Sequence, residues 1–285
     1  MAKNMPLSDA LAEYLADGMT VAFEGFSHLV PFAAAHEAIR QERRCLDLVR
    51  MTPDLIYDQM IGMGCARRVT FSYAGNPGVG LLRRMRDAVE NGWPAKLEIS
   101  EHSHAALANA YVSGASGIPF AVLKAYRGVD LPAMNPREIR SVRCPFSGEQ
   151  LAAVRSVELD LAVIHAQKAD RAGNVLVEGI VGVQKEAVLA AKSAIATVEE
   201  LVDDLRVHPN ACILPSWTID AVCVVPGGSH PSYVDGYYER DNAAYQDWDR
   251  ISADRERFMS WMRDNVLEQS PEVFAQRVRK IRKWE

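Results

Sequence analysis

The sequence has no long apolar run. Its apolar stretches are interrupted by Lys, Glu or Pro, far short of the ~20 residues that a membrane-spanning helix needs. The N-terminus also lacks the charged and then apolar pattern of a secretory signal. A membrane partner is therefore not expected, and we predict that the protein stays in the cytoplasm.

Cysteine is sparse, and no two cysteines form a C-x-x-C pair. This spacing fits reduced thiols and gives no support for a disulfide framework or a zinc site. Neither H-x-x-x-H nor H-E-x-x-H occurs, so we predict no catalytic metal. Most of the thiols are expected to be buried; they belong to Cys45, Cys65, Cys144, Cys212 and Cys223.

Positive charge is not in excess. Lys and Arg number 32 against 37 Asp and Glu, which gives a net charge of −5 at pH 7. No basic stripe is present, and proteins that bind the phosphate backbone need clustered Lys and Arg, so nucleic acid is not an expected partner. With 48% apolar residues over 285 positions, the chain has enough material for a large core.

Two common ligand-binding motifs are also missing. The glycine-rich run 75–80 has neither the G-x-G-x-x-G spacing of dinucleotide sites nor the Lys-Ser/Thr ending of a phosphate-binding loop. No G-x-S-x-G turn occurs either. Nucleotide binding and serine hydrolase chemistry are therefore not favoured.

Short apolar strands alternate with helical patterns along the chain, which predicts an α/β fold: an open, mainly parallel sheet flanked by helices. Residues 128–156 lose this periodicity and are expected to form an excursion. We predict a single domain over 1–285, with 235–285 as a helical C-terminal extension whose aromatic residues lie over the sheet, grip another subunit or pack in the core. Strands are predicted at 19–23, 46–51, 68–73, 97–100, 159–166, 174–176 and 194–198, and helices at 7–16, 32–39, 55–61, 81–89, 104–112 and 184–192.

Ligands of open α/β sheets bind at the carboxyl ends of the parallel strands. Four loops, 24–31, 52–54, 75–80 and 100–104, should therefore converge. Their carboxylates, hydroxyls and imidazoles suit an anionic, oxygen-rich substrate, although each histidine alone could equally cap or pack. The candidate residues in these loops are Gly25, Phe26, Ser27, His28, Asn76, Glu101, Ser103 and His104.

Several stretches in order along the chain resemble the α subunit of the class I CoA transferases of the glutaconate and 3-oxoadipate type. No single motif carries the resemblance, which runs from about Leu7 to Trp261. It implies the α/β fold that CoA transferases share with sugar isomerases. The stretches are Glu24 to His28, Ser113 to Phe120, Asp160 to Ala166 with Asp170 and Gly173 to Val175, Gly179 to Ala187, Thr197 to Glu200, Pro226 to Tyr233 and, for the 3-oxoadipate type, Gly236 to Asp241.

The resemblance implies a CoA transferase whose active site is shared with a separate β subunit, commonly as α2β2. In the family a glutamate of the β subunit takes CoA from an acyl-CoA donor such as succinyl-CoA and passes it to a small carboxylic acid, here best matched by 3-oxoadipate. The CoA thioester is a substrate, and no metal or organic cofactor is implied. Glu101 follows Ser100 as in the nucleophile motif, but Ser103 replaces its glycine, so Glu101 is expected to support the reaction only.

The resemblance also suggests roles for the candidate residues. Backbone N–H groups at Gly25, Phe26 and Ser27 would face the oxyanion that forms on the thioester. Glu101, Ser103 and His104 would line the acyl pocket. The second carboxylate of a dicarboxylic acid needs donors, for which His28, Asn76, Ser72 and Arg50 are candidates.

Two other functions fit the same residues. One is a hydrolase on the same scaffold that opens a ring in an acyl-CoA, with Glu101 as acid and base. The other is a non-catalytic scaffold or ligand sensor, which the polar loops and the absence of an appended DNA-binding helix-turn-helix disfavour. A glutamate nucleophile in the partner would distinguish the transferase from the hydrolase.

Overall fold

The computed structural model of the chain describes residues 2–206 and 208–268. Its strands are β1 (Lys3–Asn4), β2 (Thr20–Glu24), β3 (Leu46–Val49), β4 (Ala66–Phe71), β5 (Glu98–Glu101), β6 (Phe120–Leu123), β7 (Ile139–Arg143), β8 (Gln150–Arg155), β9 (Leu159–Asp170), β10 (Val175–Val177), β11 (Ala191–Val202), β12 (Cys212–Leu214) and β13 (Ala221–Val224). Its helices are α1 (Leu7–Tyr14), α2 (Phe32–Arg40), α3 (Leu55–Gly62), α4 (Arg83–Glu90), α5 (His104–Ala115), α6 (Leu131–Met134), α7 (Gln184–Leu189), α8 (Asn242–Ser252) and α9 (Arg255–Met262).

The main sheet confirms the predicted open α/β fold. The sheet has ten strands, of which eight follow one another in the order β1-β13-β11-β9-β2-β3-β4-β5, and every pair of neighbours along this path is parallel. The short strand β10 pairs antiparallel with the last part of β9, and β12 pairs antiparallel with β10. Two apolar cores, one on each face, cover the sheet, which explains why its central strands read as short, nearly continuous apolar runs.

Side-chain caps start two of the helices beside the predicted site. The carboxylate of Asp54 accepts a hydrogen bond from the N–H of Ile56 at the start of α3. The hydroxyl of Ser103 accepts one from the N–H of Ala106 at the start of α5. Because both caps closely follow a strand of the main sheet, they fix where the helices leave its carboxyl edge.

The excursion at 128–156 contains regular structure that the sequence did not predict. With residues just before it, this segment forms a second, three-stranded antiparallel sheet in the order β6-β8-β7, with α6 between β6 and β7. The predicted excursion therefore carries strands of its own, which the sequence did not reveal because they are short and partly exposed and show little apolar alternation.

The C-terminal region packs into the core as far as the structure describes it, to residue 268. Helices α8 and α9 confirm the predicted helical character, but residues 235–241 form a turn and a non-helical stretch, so the helical part begins at Asn242 rather than at 235. Tyr245, Trp248 and Phe258 are buried in the core that contains α3 and α4. Of the arrangements expected for these aromatic side chains, packing in the core is therefore the one observed. Phe274 and Trp284 lie outside the described residues, and the single-domain assignment stays a prediction.

The thiols are less buried than predicted. All five cysteines are free, but only Cys65 and Cys223 are buried, while Cys45 is exposed. In the described ranges no helix combines the length and apolarity that a bilayer crossing requires.

Candidate active site

The four predicted loops leave the same carboxyl edge of the main sheet, at the ends of β2, β3, β4 and β5. Glu24 closes β2 opposite Ile164 of β9, and Glu101 closes β5 opposite Phe71 of β4. Since β2 and β5 are three strand spacings apart, the loops after them start roughly 14 Å from each other. The loops therefore share one edge but form two groups of side chains, one around Glu24 and one around Glu101.

A buried carboxylate lies at the centre of the first group. Glu24 is fully buried, and its Oε2 accepts hydrogen bonds from the hydroxyl of Tyr111 at 3.0 Å and from the N–H of Met51 at 3.4 Å. Its Oε1 accepts the N–H of Gly25 at 3.2 Å. Burial raises the pKa of Glu24 to about 7, against the opposing effect of the nearby Arg50 charge.

Arg50 joins the end of β3 to the loop after β2. Its fully buried guanidinium donates to the carbonyl oxygen of Gly25 through Nη2 at 2.7 Å and Nε at 3.1 Å. The same group pairs with the carboxylate of Asp54, with Nη1 to Oδ1 at 2.8 Å. Because the planar guanidinium bonds Gly25 and Asp54 at the same time, Arg50 holds this loop rigidly.

The loop after Glu24 has a tightly constrained backbone. A Cβ on Gly25 would lie 2.6 Å from the carbonyl oxygen of Leu29, so only glycine fits there without a shift. Ser27 and Leu29 have φ angles of 57° and 55°, in the left-handed region that non-glycine residues rarely adopt. Neighbouring segments hold this conformation, since the hydroxyl of Ser232 donates to the carbonyl of Ser27 at 3.0 Å.

The backbone donors predicted at this loop differ in their availability. The N–H of Gly25 is used by the carboxylate of Glu24. The N–H groups of Phe26 and Ser27 meet no acceptor in the described part of the chain. These two donors are thus the ones that remain for an oxyanion, and that role stays a prediction.

His28 is buried within the protein and both of its ring nitrogens face main-chain groups. Its Nε2 accepts the N–H of Asp235 at 3.0 Å, which leaves the proton on Nδ1, 3.5 Å from the carbonyl oxygen of Ile180. Burial lowers the pKa of His28, which favours this neutral form. The imidazole therefore orders the loop, and a direct contact with substrate stays a prediction.

Asn76 also makes a structural contact. It is buried, and its Nδ2 donates to the carbonyl oxygen of Tyr245 in α8 at 2.7 Å. Its Oδ1 has no partner among the described residues. Asn76 therefore fastens the 75–80 loop to the C-terminal helices, and its predicted role in binding a carboxylate is not tested by this geometry.

The second group lies at the N-terminus of α5. Glu101 is exposed, and its carbonyl oxygen accepts a hydrogen bond from Asn135 at 2.9 Å, while no partner of its carboxylate occurs in the described ranges. Ser103 caps α5 and its hydroxyl lies 3.3 Å from the hydroxyl of Tyr126. His104 is exposed in the first turn. An unpaired carboxylate, an imidazole and a helix N-terminus are together available at the surface.

The sequence does not reveal that part of this site is buried. Glu24, expected to start the first loop, is the last residue of β2, and the sequence does not show that Glu24 and Arg50 are buried together beside Tyr111. The available signal was the position of each charge, which directly follows an apolar strand. No three His, Cys, Asp or Glu side chains within 2–206 and 208–268 are arranged to hold a metal ion; the lack of a catalytic metal stays a prediction.

Comparison with known proteins defines the class. The family model described as coenzyme A transferase matches residues 4–224, and the chain belongs to this family. It is 64% identical over 266 residues to the A subunit of 3-oxoadipate CoA-transferase from Pseudomonas knackmussii, and the match covers 93% of this chain and 94% of that protein.

Further relatives show the breadth of the family. The A subunit of glutaconate CoA-transferase from Acidaminococcus fermentans is 30% identical, over 94% of this chain and 89% of that protein. The crystal structure of the enzyme from the same organism matches with a TM-score of 0.89 and 28% identity, over 97% of this chain and 93% of that one. A cholesterol ring-cleaving hydrolase subunit of Mycobacterium tuberculosis is 26% identical over 84% of each chain. The resemblance to CoA transferases is thus confirmed in family and fold.

Proposed function

We propose that this chain is the A subunit of a 3-oxoadipate CoA-transferase. The observation that carries the proposal is the 64% identity to such a subunit over nearly the whole of both chains. The donor in this proposal is succinyl-CoA and the acceptor is 3-oxoadipate. The CoA thioester is itself the substrate, and the scheme needs no metal or organic cofactor.

The proposed reaction divides one exchange into four acyl transfers. A glutamate carboxylate on the partner chain attacks the thioester carbonyl of succinyl-CoA and releases CoA as thiolate, leaving a mixed anhydride. The thiolate then attacks the glutamyl carbonyl and releases succinate, which gives a glutamyl-CoA thioester. The carboxylate of 3-oxoadipate takes up CoA by the same two steps in reverse.

This chain contributes positioning and electrostatic stabilisation in the proposal. Each attack places negative charge on a carbonyl oxygen, and the N–H groups of Phe26 and Ser27, unpaired within the described ranges, are the donors that can face it. Glu24 and Arg50 hold the loop that carries them, by bonds to the N–H and the carbonyl oxygen of Gly25. Glu101, Ser103 and His104 line the acyl side, where the N-terminus of α5 favours a carboxylate.

The partner chain completes the site. The transferase relatives are themselves named as A subunits, and we propose an assembly with a B subunit, as α2β2. The cytoplasm is the proposed location.

A second candidate function is ring-opening hydrolysis. It is supported by the carboxylate of Glu101, which is exposed and has no partner in the described residues. It ranks second because the identity to the hydrolase subunit is only 26%.

The test uses the co-purified complex of this chain with its B subunit. Succinyl-CoA is supplied with 3-oxoadipate or with glutaconate in water enriched in oxygen-18. The proposal expects 3-oxoadipyl-CoA and succinate in equal amounts, with no oxygen from water in the succinate. A preference for glutaconate would contradict the acceptor, and acyl-CoA loss with oxygen from water would support hydrolysis instead.

A further inference from the structure

A buried pair of titratable side chains lies beside the site, on the strands next to β2. His165 on β9 and Glu199 on β11 are both buried, and His165 Nε2 lies 2.9 Å from Glu199 Oε1. The two strands are parallel neighbours, with Thr197 opposite His165. None of the steps proposed above uses this pair, although a buried His and Glu are costly to retain without a role.

Hydrogen bonds surround both members of the pair. Nδ1 of His165 lies 2.8 Å from the hydroxyl of Thr197, whose oxygen is also 3.1 Å from the carbonyl oxygen of Ile164. The carboxylate of Glu199 faces Nε2 of His165 and also accepts from the N–H of Gly227 at 2.9 Å. These bonds fix both side chains between β9, β11 and the segment after β13.

One further contact supports the charged state of Glu199. The hydroxyl of Tyr238 donates to Oε1 at 2.9 Å, because its oxygen accepts the N–H of Ser229 at 3.1 Å. Burial by itself would raise the pKa of Glu199, but the bonds from His165, Gly227 and Tyr238 hold it below its ordinary value.

The pair fixes one end of the segment 227–235. Glu199 bonds the N–H of Gly227 with both oxygens, at 3.0 and 2.9 Å. The backbone at Gly228 lies directly against the imidazole, since a Cβ on Gly228 would be 2.9 Å from Cε1 of His165. The position of this segment therefore depends on the ring of His165 and the carboxylate of Glu199.

The same segment holds the loop that carries the proposed oxyanion donors. Four hydrogen bonds join it to residues 27–33. They are Ser232 Oγ to the Ser27 carbonyl at 3.0 Å, Asp235 N–H to His28 Nε2 at 3.0 Å, Leu29 N–H to the Tyr233 carbonyl at 3.1 Å, and Ala33 N–H to the Gly228 carbonyl at 2.9 Å.

We infer that His165 and Glu199 are positioning residues for the CoA transfer: as a buried hydrogen-bonded pair they set the 227–235 segment, which sets the donors at Phe26 and Ser27. The inference rests on the proposed function. A shift of about 1 Å in oxyanion donors is costly to catalysis but has less effect on substrate binding, since the charge they meet develops in the transition state.

The test compares Glu199→Gln with Glu200→Gln in the complex with the B subunit. Glutamine keeps the shape of Glu199 but removes its charge. Glu200 is the next residue of β11, and its carboxylate pairs with Lys168 at the partly exposed surface, so it is a matched control. We expect Glu199→Gln to lower kcat at least tenfold with KM for succinyl-CoA within threefold, and Glu200→Gln to stay within twofold on both.

Hydrogen exchange of the same variants tests the coupling without using activity. In Glu199→Gln the amides of Leu29 and Ala33 should exchange at least tenfold faster, while the amide of Leu46, bonded to the Cys65 carbonyl at 2.9 Å, should not change. If Glu199→Gln fails to fold, Tyr238→Phe replaces it in the test, because it removes one hydrogen bond to Glu199. Its control is Tyr237→Phe, because the hydroxyl of Tyr237 donates to Glu200 instead. For Tyr238→Phe we expect kcat at least threefold lower, with faster exchange at the same two amides.

The outcomes separate the two proposals. An inactive wild-type complex would refute the proposed function, while faster exchange at Leu29 and Ala33 would still support the coupling. An active wild type with Glu199→Gln at normal kcat would overturn the positioning role. Loss of kcat with unchanged exchange at both amides would overturn it as well, because the effect would then not pass through this loop.

Discussion

Arg50 and Gly25 are joined by two hydrogen bonds from one guanidinium to one carbonyl oxygen, at 2.7 and 3.1 Å. Both groups are inside the protein, at the point where β2 ends and the loop to α2 begins. This carbonyl shares a peptide group with the N–H of Phe26, which is one of the proposed oxyanion donors. The relationship therefore links a buried charge directly to the orientation of a proposed catalytic group.

Arg50→Lys should lower turnover at least tenfold in a complex that still folds. Lysine keeps the positive charge, but one ammonium cannot replace the planar fork that meets both Gly25 and Asp54. Steady-state rates with succinyl-CoA and 3-oxoadipate measure the effect. Arg67→Lys is the control, because Arg67 pairs with Asp47 at the surface and such pairs contribute only about 0–1 kcal/mol. Turnover within twofold of wild type for Arg50→Lys would contradict the support role.

Glu24→Gln should change how stability depends on pH. The folded chain raises the pKa of Glu24 from 4.5 to about 7, mainly through burial. The folded chain therefore holds this proton at pH values where the unfolded chain has released it, and the free energy of unfolding falls as pH rises from about 4.5 to about 7. Glutamine has no proton to lose, so the variant should lack this part of the fall.

Urea unfolding at about pH 5 and about pH 8 measures the difference between Glu24→Gln and wild type. The account predicts that the variant gains stability relative to wild type at the higher pH. An equal pH dependence in both proteins would mean that Glu24 does not titrate in this range.

Glu101→Ala should lower turnover at least tenfold with little loss of stability. The side chain is exposed and has no bonding partner within the described ranges, so its removal leaves the fold intact. Turnover and the urea midpoint are measured together. Glu98→Ala, an exposed glutamate on the same strand, should stay near wild type in turnover. Normal turnover in Glu101→Ala would remove this residue from the site.

Trp248→Ala should destabilise the protein by about 3–5 kcal/mol, as expected for a large buried aromatic. Its indole is buried, lies 5.8 Å from the ring of Phe258 and donates to Asp58 at 3.0 Å. Trp217→Ala is matched in chemistry but 78% exposed, and it should change stability by less than about 0.5 kcal/mol. A small effect at Trp248 would mean that the C-terminal helices are an appendage rather than part of the core.

The alternation of strands and helices was predictable because parallel strands buried on both faces leave short apolar runs that Gly and Pro interrupt. The strand at Leu159 was predicted too short, since it continues past Ala166 through the polar Gln167 and Lys168 to pair with β10 and β11. Such an extension depends on partners distant in sequence, which periodicity does not detect.

The edge of the sheet that holds the candidate site was predictable, but the contacts within that site were not. The carboxyl edge follows from strand order, and Glu24 and Glu101 both lie at that edge. That Arg50, Glu24 and His165 are buried is not visible in the sequence, where polar and charged residues normally indicate exposure. Their polar atoms are paired inside the protein by Gly25, Tyr111 and Glu199 respectively, partners that are distant in sequence and brought close by the fold.

This chain alone should show no CoA exchange above background, because the account places the nucleophile on the B subunit. Exchange between succinyl-CoA and labelled succinate, followed in the purified chain and in the reconstituted complex, measures this. Robust exchange by the single chain would refute a shared active site.

The most direct test of the central claim is peptide mass mapping of the complex after incubation with succinyl-CoA and trapping of any bound thioester. The account predicts a CoA adduct on a glutamate of the B subunit, with none on this chain. An adduct on Glu101, or no adduct together with succinate that takes its oxygen from water, would contradict it.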